Sequence, residues 1–181
     1  MKYNSLKYWN NRPNPNRGLV PEEVDKKYIP DFIENTDNLF EFGVGVARMF
    51  PFYTGKTVTG LDFASQYAVD CIKKAKEQDL KKYTHTIHNI HKEDLPFEDK
   101  QFERGLLIKV LLHAPEDECR TILTEVGRVS DEVLLISYNG QRETLASHCF
   151  YHDYKSLIED LGGEITFLEE YGNQIIIKYK I

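Results

Sequence analysis

The chain has 181 residues, 41% hydrophobic and 29% charged, with a formal net charge of −6. That is the composition of a soluble globular protein with one core. It holds no apolar run near the roughly 18 residues of a membrane span, no signal-peptide pattern and no basic block suited to nucleic acid.

In chain order, residues 1–18 are aromatic and polar and are broken by "RPNPNRG", which reads as a lid over a core. "PEEVDKKYIPDFIENT" (21–36) opens with proline and acids, as a helix does, and its Pro30 predicts a break or kink. Residues 1–36 are thus expected to form an N-terminal lid and helix, and residues 37–181 the core domain. "NLFEF" (38–42) reads as a first strand, with a helix-like segment after its glycines. "TVTGLDF" (57–63) is a second strand. "SQYAVDCIKKAKEQDL" (65–80) is a helix with Tyr67, Ala68, Cys71, Ile72 and Ala75 on its apolar face and its lysines in solvent.

"YTHTIHNI" (83–90) and "FERGLLIKVLL" (102–112) give the third and fourth strands. "PEDECRTILTEVGRV" (115–129) is a helix and "DEVLLISY" (131–138) the fifth strand. Strand–helix alternation of this kind predicts an α/β fold, a doubly wound, mostly parallel sheet covered on both faces. "HDYKSLIEDLGG" (152–163) is a helix stopped by Gly-Gly, and "EITFLEEYGNQIIIKYKI" (164–181) reads strand–turn–strand. That makes seven strands, the C-terminal one antiparallel. Cys71, Cys119 and Cys149 are odd in number, widely spaced and without a CxxC pair, which suits a reduced, cytoplasmic setting.

In open α/β sheets, ligands bind beyond the carboxyl ends of the strands, where the strand order reverses. "EFGVGVA" ends the first strand, and Gly43 and Gly45 let the backbone turn sharply and approach a ligand. Glu41 puts a carboxylate at the end of a core strand, where it needs a partner. A dinucleotide fingerprint would place its third small residue at position 48, which holds Arg48; the small residue comes one place earlier, at Ala47. Asp62 closes the second strand, where a carboxylate can accept from both hydroxyls of a ribose or, alternatively, cap the next helix. Phe63 follows, with a face for an adenine ring or for the core.

"FEFGVGVA" resembles the first motif of the class I S-adenosylmethionine (SAM)-dependent methyltransferases, including the acid at Glu41. "NIHKEDLPFEDKQFERGLLIKVLLHAPEDECRTILTEVGRV" resembles that family's passage through the third and fourth strands, and the likeness covers roughly residues 38–137. The resemblance implies a Rossmann-like sheet, SAM as cofactor, Glu41 near the methionine ammonium, Gly43, Gly45 and Ala47 in the loop, and Asp62 and Phe63 at the adenosine. The family's Asp before "LPF", an acceptor for the adenine amino group, has no counterpart. Its place falls on His91 without a gap, or on Asn89 if two residues are inserted. Ile90 between them and Lys109 in the fourth strand complete the implied cofactor set. The "K-P-G-G" turn before the fifth strand is replaced by "SDE" (130–132).

A family member of this kind transfers a methyl group from SAM. The Asp-Pro-Pro-Tyr-like quartet that accompanies methylation of adenine, cytosine or glutamine nitrogens is missing, and "LLHA" in its place favours a small-molecule acceptor. His113, which otherwise reads as a helix-capping histidine, and Tyr138 are the candidate catalytic groups; Tyr3, Tyr8 and Trp9 are candidates to close over the cleft. No metal site is expected. His85, His88 and His91 fall on alternating faces of a strand, and His148, Cys149 and His152 lack a fourth ligand. A non-catalytic SAM-binding module is the alternative reading, and Arg48 counts against an NAD-dependent dehydrogenase. The expected state is a monomer or homodimer, with neither membrane nor nucleic acid as partner.

Overall fold

The computed structural model describes residues 5–11, 20–90, 94–139 and 148–181. α1 (Ser5–Asn10) and α2 (Glu23–Ile33) lead into β1 (Asn38–Phe42) and β2 (Thr57–Leu61). α3 (Ala68–Glu77), β3 (Lys82–Thr86), β4 (Phe102–Ile108), α4 (Glu116–Val129) and β5 (Ser130–Tyr138) follow. α5 (Tyr154–Asp160), β6 (Glu164–Tyr171) and β7 (Gln174–Lys180) complete the chain. Among the described residues no helix is long and apolar enough to cross a membrane.

The seven strands form one sheet in the order β3-β2-β1-β4-β5-β7-β6. β1 pairs in parallel with both β2 and β4, β3 and β5 extend the parallel sheet, and β7 runs antiparallel to both β5 and β6. This is the expected Rossmann-like α/β architecture with an antiparallel C-terminal strand. The order reverses between β1 and β4, so a crevice opens beyond their carboxyl ends.

Both faces of the sheet are covered, and alternate residues of a strand serve opposite faces. Leu39, Val58, Leu106 and Leu134 face α2 and α3, where Val24, Ile29, Phe32, Cys71 and Ala75 complete one cluster. Phe40, Leu61, Leu107 and Leu135 face α4 and α5, against Ile122, Leu123, Val126, Leu157 and Ile158. The apolar runs in β4 and β5 are those of strands buried on both sides.

Local details depart from the sequence reading. The helix expected after the glycines does not form; residues 45–49 make turns, and a single 3-10 turn spans Phe50–Phe52. Pro51 restricts the backbone there, and Phe50 and Tyr53, both fully buried, fill the core in the helix's stead. α2 runs through Pro30 without a break. Pro30 lies on the exposed side, where the carbonyl it leaves unbonded can be hydrated. β3 ends at Thr86 and β4 at Ile108, so His113 belongs to a separate 3-10 turn, Leu111–His113, and not to the strand. Tyr67, in the 3-10 turn Ser65–Tyr67 that leads into α3, and Cys71 and Ala75 on α3 are buried as expected, but Ile72 is 47% exposed. "SDE" needs no turn, because β5 starts at Ser130 directly after α4 ends at Val129.

Candidate active site

The loop after β1 is shaped by a close approach at Gly43 that only glycine allows and by a positive φ at Gly45. Gly43 has φ +75°, and a Cβ there would stand 2.4 Å from Val110 Cγ2 beyond β4. Its N–H and that of Val44 both donate to the Leu61 carbonyl, at 2.8 and 3.1 Å, which binds the loop to the end of β2. Gly45, at φ +49°, donates its N–H to Asp62 Oδ2 at 2.9 Å. Ala64 N–H donates to Asp62 Oδ1 at 2.8 Å. Burial pushes the Asp62 carboxyl up, and the two amide bonds hold it down. An ionised carboxylate offers about four lone-pair positions. Two are used here, and Asp62 lines the cavity.

Glu41 is buried at the same edge, 4% exposed, and accepts the Tyr53 hydroxyl at 3.1 Å. Burial pushes its carboxyl up to about 8, against the Tyr53 bond and the Arg48 charge. Arg48 is itself engaged, donating to Asp25 Oδ2 at 2.8 Å. Asp25 closes the capping box of α2, accepting the Glu22 N–H at 2.8 Å. Glu22 also pairs with Lys109, a residue at φ 54° just beyond β4. Burial lowers the Lys109 pKa and the Glu22 carboxylate raises it. The start of α2 thus grips both lips of the crevice, one through Arg48 and one through Lys109.

A cavity opens at the ends of β1, β2 and β4. Glu41, Gly43, Gly45, Asp62, Phe63, Ile90, Lys109 and His113 all line it. Three other predicted residues stand elsewhere. Ala47 is buried at φ 58°, with its N–H on the Val44 carbonyl at 2.9 Å, and shapes the loop from behind. Asn89 and Tyr138 are half-buried and outside the cavity wall; the Tyr138 ring centre lies 5.5 Å from Lys109 Nζ. His91 and Tyr3 lie outside the described residues.

An aromatic wall stands at the cavity mouth. The Trp9 ring lies 4.8 Å from His113, Tyr8 stacks on His148 at 4.6 Å, and His148 stacks on His113 at 5.3 Å. Gln66 Nε2 fixes α1 by donating to the Trp9 carbonyl at 2.7 Å. His113 Nδ1 is 3.2 Å from the His148 carbonyl and 3.7 Å from Cys149 Sγ. His152 is directed elsewhere, its Nε2 2.9 Å from the Ala114 carbonyl. Sequence reasoning missed Tyr53 as the partner of Glu41, the ion pairs of α2, and the meeting of His113 with His148 and Cys149. None of these has a signal in local spacing.

The residues present fit SAM. Gly43 and Gly45 keep the loop free of Cβ atoms, Asp62 retains acceptor capacity for ribose hydroxyls, Phe63 and Ile90 are apolar neighbours for a base, and Glu41 is a buried acid suited to a cation.

Comparison with known proteins agrees. A family model described as a methyltransferase domain matches residues 40–132. No curated protein matches the sequence. Among solved structures, the fold is similar to magnesium protoporphyrin IX methyltransferase from Synechocystis with bound SAM, at TM-score 0.70 and 14% identity, covering 99% of this chain and 98% of that one. A SAM-dependent methyltransferase from Aquifex aeolicus gives TM-score 0.69 and 14% identity, covering 98% of each chain. The [4+2]-cyclase SpnF shares the fold at TM-score 0.64 and 16% identity, over 81% of this chain and 59% of that one. With half of its length matched by that family model and its whole length by the fold, this chain belongs to the methyltransferase-domain family, as a small class I member whose cofactor is S-adenosylmethionine.

Proposed function

We propose that the chain transfers the methyl group of SAM to a small-molecule acceptor that enters past Trp9 and His113. The observation that carries this reading is the convergence of Glu41, Asp62 and His113 on one cavity, with the two acids at the strand ends and the histidine at the mouth. SAM, when bound, supplies an electrophilic methyl on a sulfonium, so the protein's task is to bind, align and exclude water. Glu41 provides negative charge for the methionine ammonium, Asp62 accepts from the ribose, and Phe63 and Ile90 flank the base. The two N-terminal helices provide the cover: Trp9 and Tyr8 of α1 orient the acceptor, and α2 holds Arg48 and Lys109 at the cavity edge. His113 accepts a proton where the acceptor carries one.

Isothermal titration with SAM and its demethylated product, followed by transfer of labelled methyl to a panel of small molecules, tests the proposal. Binding of both ligands with label incorporation into a member of the panel is expected. Failure to bind either ligand would overturn the reading. Binding with no transfer to any acceptor would point to a SAM-binding module.

A further inference from the structure

We propose that His113, His148 and Cys149 form a binding site for a zinc-class divalent cation at the mouth of the cofactor cavity. The three residues come from two places in the fold, the turn after β4 and the segment ahead of α5. One ligand atom from each lies within 4.8 Å of the others. A tetrahedral zinc with Zn–S of about 2.3 Å and Zn–N of about 2.0 Å holds its sulfur and nitrogen about 3.5 Å apart. Cys149 Sγ and His113 Nδ1 stand 3.7 Å apart, close to that spacing, and binding an ion would draw Nδ1 off the His148 carbonyl, now 3.2 Å away. All three residues are half-buried, so an ion can enter from solvent while the walls limit its coordination.

The donor set selects the metal. Two imidazoles and a thiolate suit zinc and disfavour magnesium and calcium, which take oxygen ligands. Three protein ligands with a fourth position open is the arrangement of reactive zinc sites, whereas structural zinc is closed by four. Ring stacking explains why Tyr8, His148 and His113 lie together, but it does not explain a cysteine sulfur directed at the His113 imidazole. His152, three residues beyond Cys149, is held on the Ala114 carbonyl and takes no part. The site stands independently of the methyl-transfer reading. Loaded, it reserves His113 as a ligand, so the proton-accepting role falls to that residue in the metal-free chain.

The test uses the full chain, stripped with a chelator and titrated with Zn2+ against a chromophoric competitor, then with Co2+ read by absorption. One equivalent of Zn2+ per chain is expected, with affinity at least tenfold weaker in His148→Ala and in Cys149→Ser and unchanged in His152→Ala. The Co2+ form should show a thiolate-to-metal charge-transfer band that Cys149→Ser removes. Circular dichroism confirms that each variant is folded; should His148→Ala unfold, the near-isosteric Cys149→Ser decides alone. Zn2+ binding no tighter than in the Cys149→Ser variant, or a charge-transfer band that survives this substitution, would overturn the site and leave a thiol–imidazole contact.

Discussion

Asp62 holds the Gly45 amide at 2.9 Å, so the acid that closes β2 also sets the conformation of the glycine loop that closes β1. Under the proposed function, the same carboxylate both shapes the loop and binds the ribose. Asp62→Ala should therefore weaken SAM and its demethylated product alike, by at least tenfold, since charge-assisted hydrogen bonds are worth about 1.5–3 kcal/mol. Titration calorimetry checks this, and an unchanged dissociation constant would refute the ribose assignment.

Gly43 and Gly45 differ in what surrounds them, and that difference predicts unequal costs. At Gly43 a new methyl meets Val110 Cγ2 at 2.4 Å; at Gly45 the nearest neighbour is the Gly43 carbonyl oxygen at 3.8 Å. Gly45→Ala should cost about 1 kcal/mol, the strain of a positive φ, whereas Gly43→Ala should cost about 2–4 kcal/mol as overpacking adds to it. Denaturant unfolding of both variants would show the gap, and equal losses would contradict it.

Glu41 should link pH to folding and, under the proposed function, to binding. Its carboxyl is pushed up to about 8 from an ordinary 4.5, chiefly by burial. Between those values the folded chain keeps a proton that the unfolded chain releases, so stability should fall as pH rises through this window and level off above it. Glu41→Gln should remove this slope and melt higher than the parent at pH 8. A cationic ligand favours the ionised acid, so SAM affinity should rise as pH approaches 8, with proton release on binding, and Glu41→Gln should flatten that rise and weaken binding about tenfold. Melting curves and calorimetry in buffers of different ionisation enthalpy measure both effects.

Arg128 ties the "LPFEDKQF" loop to α4. It makes paired contacts with Glu125 at 2.7 and 2.9 Å and donates to Asp99 at 2.8 Å and to the Phe97 and Leu95 carbonyls at 2.9 and 3.1 Å. Glu125 in turn accepts the Leu95 N–H at 2.8 Å. Lysine cannot reproduce this fork, so Arg128→Lys should lower stability by about 1.5–3 kcal/mol despite the retained charge. Glu125 is held below its ordinary 4.5, mainly by the Arg128 hydrogen bond. The contribution is therefore present above that pH and lost as pH falls below it, so the cost of Arg128→Lys should shrink in acid. A stability difference independent of pH would exclude the Glu125 linkage.

What the sequence made legible follows from what is local. Apolar runs such as "VLLIS" mark strands covered on both faces, and Gly43, Gly45 and Asp62 mark the crevice because a sharp turn and a strand-end acid are local events. The helix expected after the glycines failed because "RMFPFY" is apolar at helical and irregular spacings alike; Pro51 and the bulk of Phe50 and Tyr53 decide the outcome. Ile72 fell on the solvent side because α3 covers only the margin of the sheet, where a narrower stripe suffices. Pairs such as Arg48–Asp25, Lys109–Glu22 and Cys149–His113 join residues far apart in the chain, and they emerge only when the crossovers bring the elements together.

The close approach of position 43 to Val110 carries an evolutionary corollary. A descendant that replaces the glycine by alanine needs more room at 110 than loss of the γ-carbons alone provides, because the Val110 Cβ would still stand 2.9 Å from the new methyl. The two sites should drift in concert across homologous chains, a bulky partner at one demanding its absence from the other.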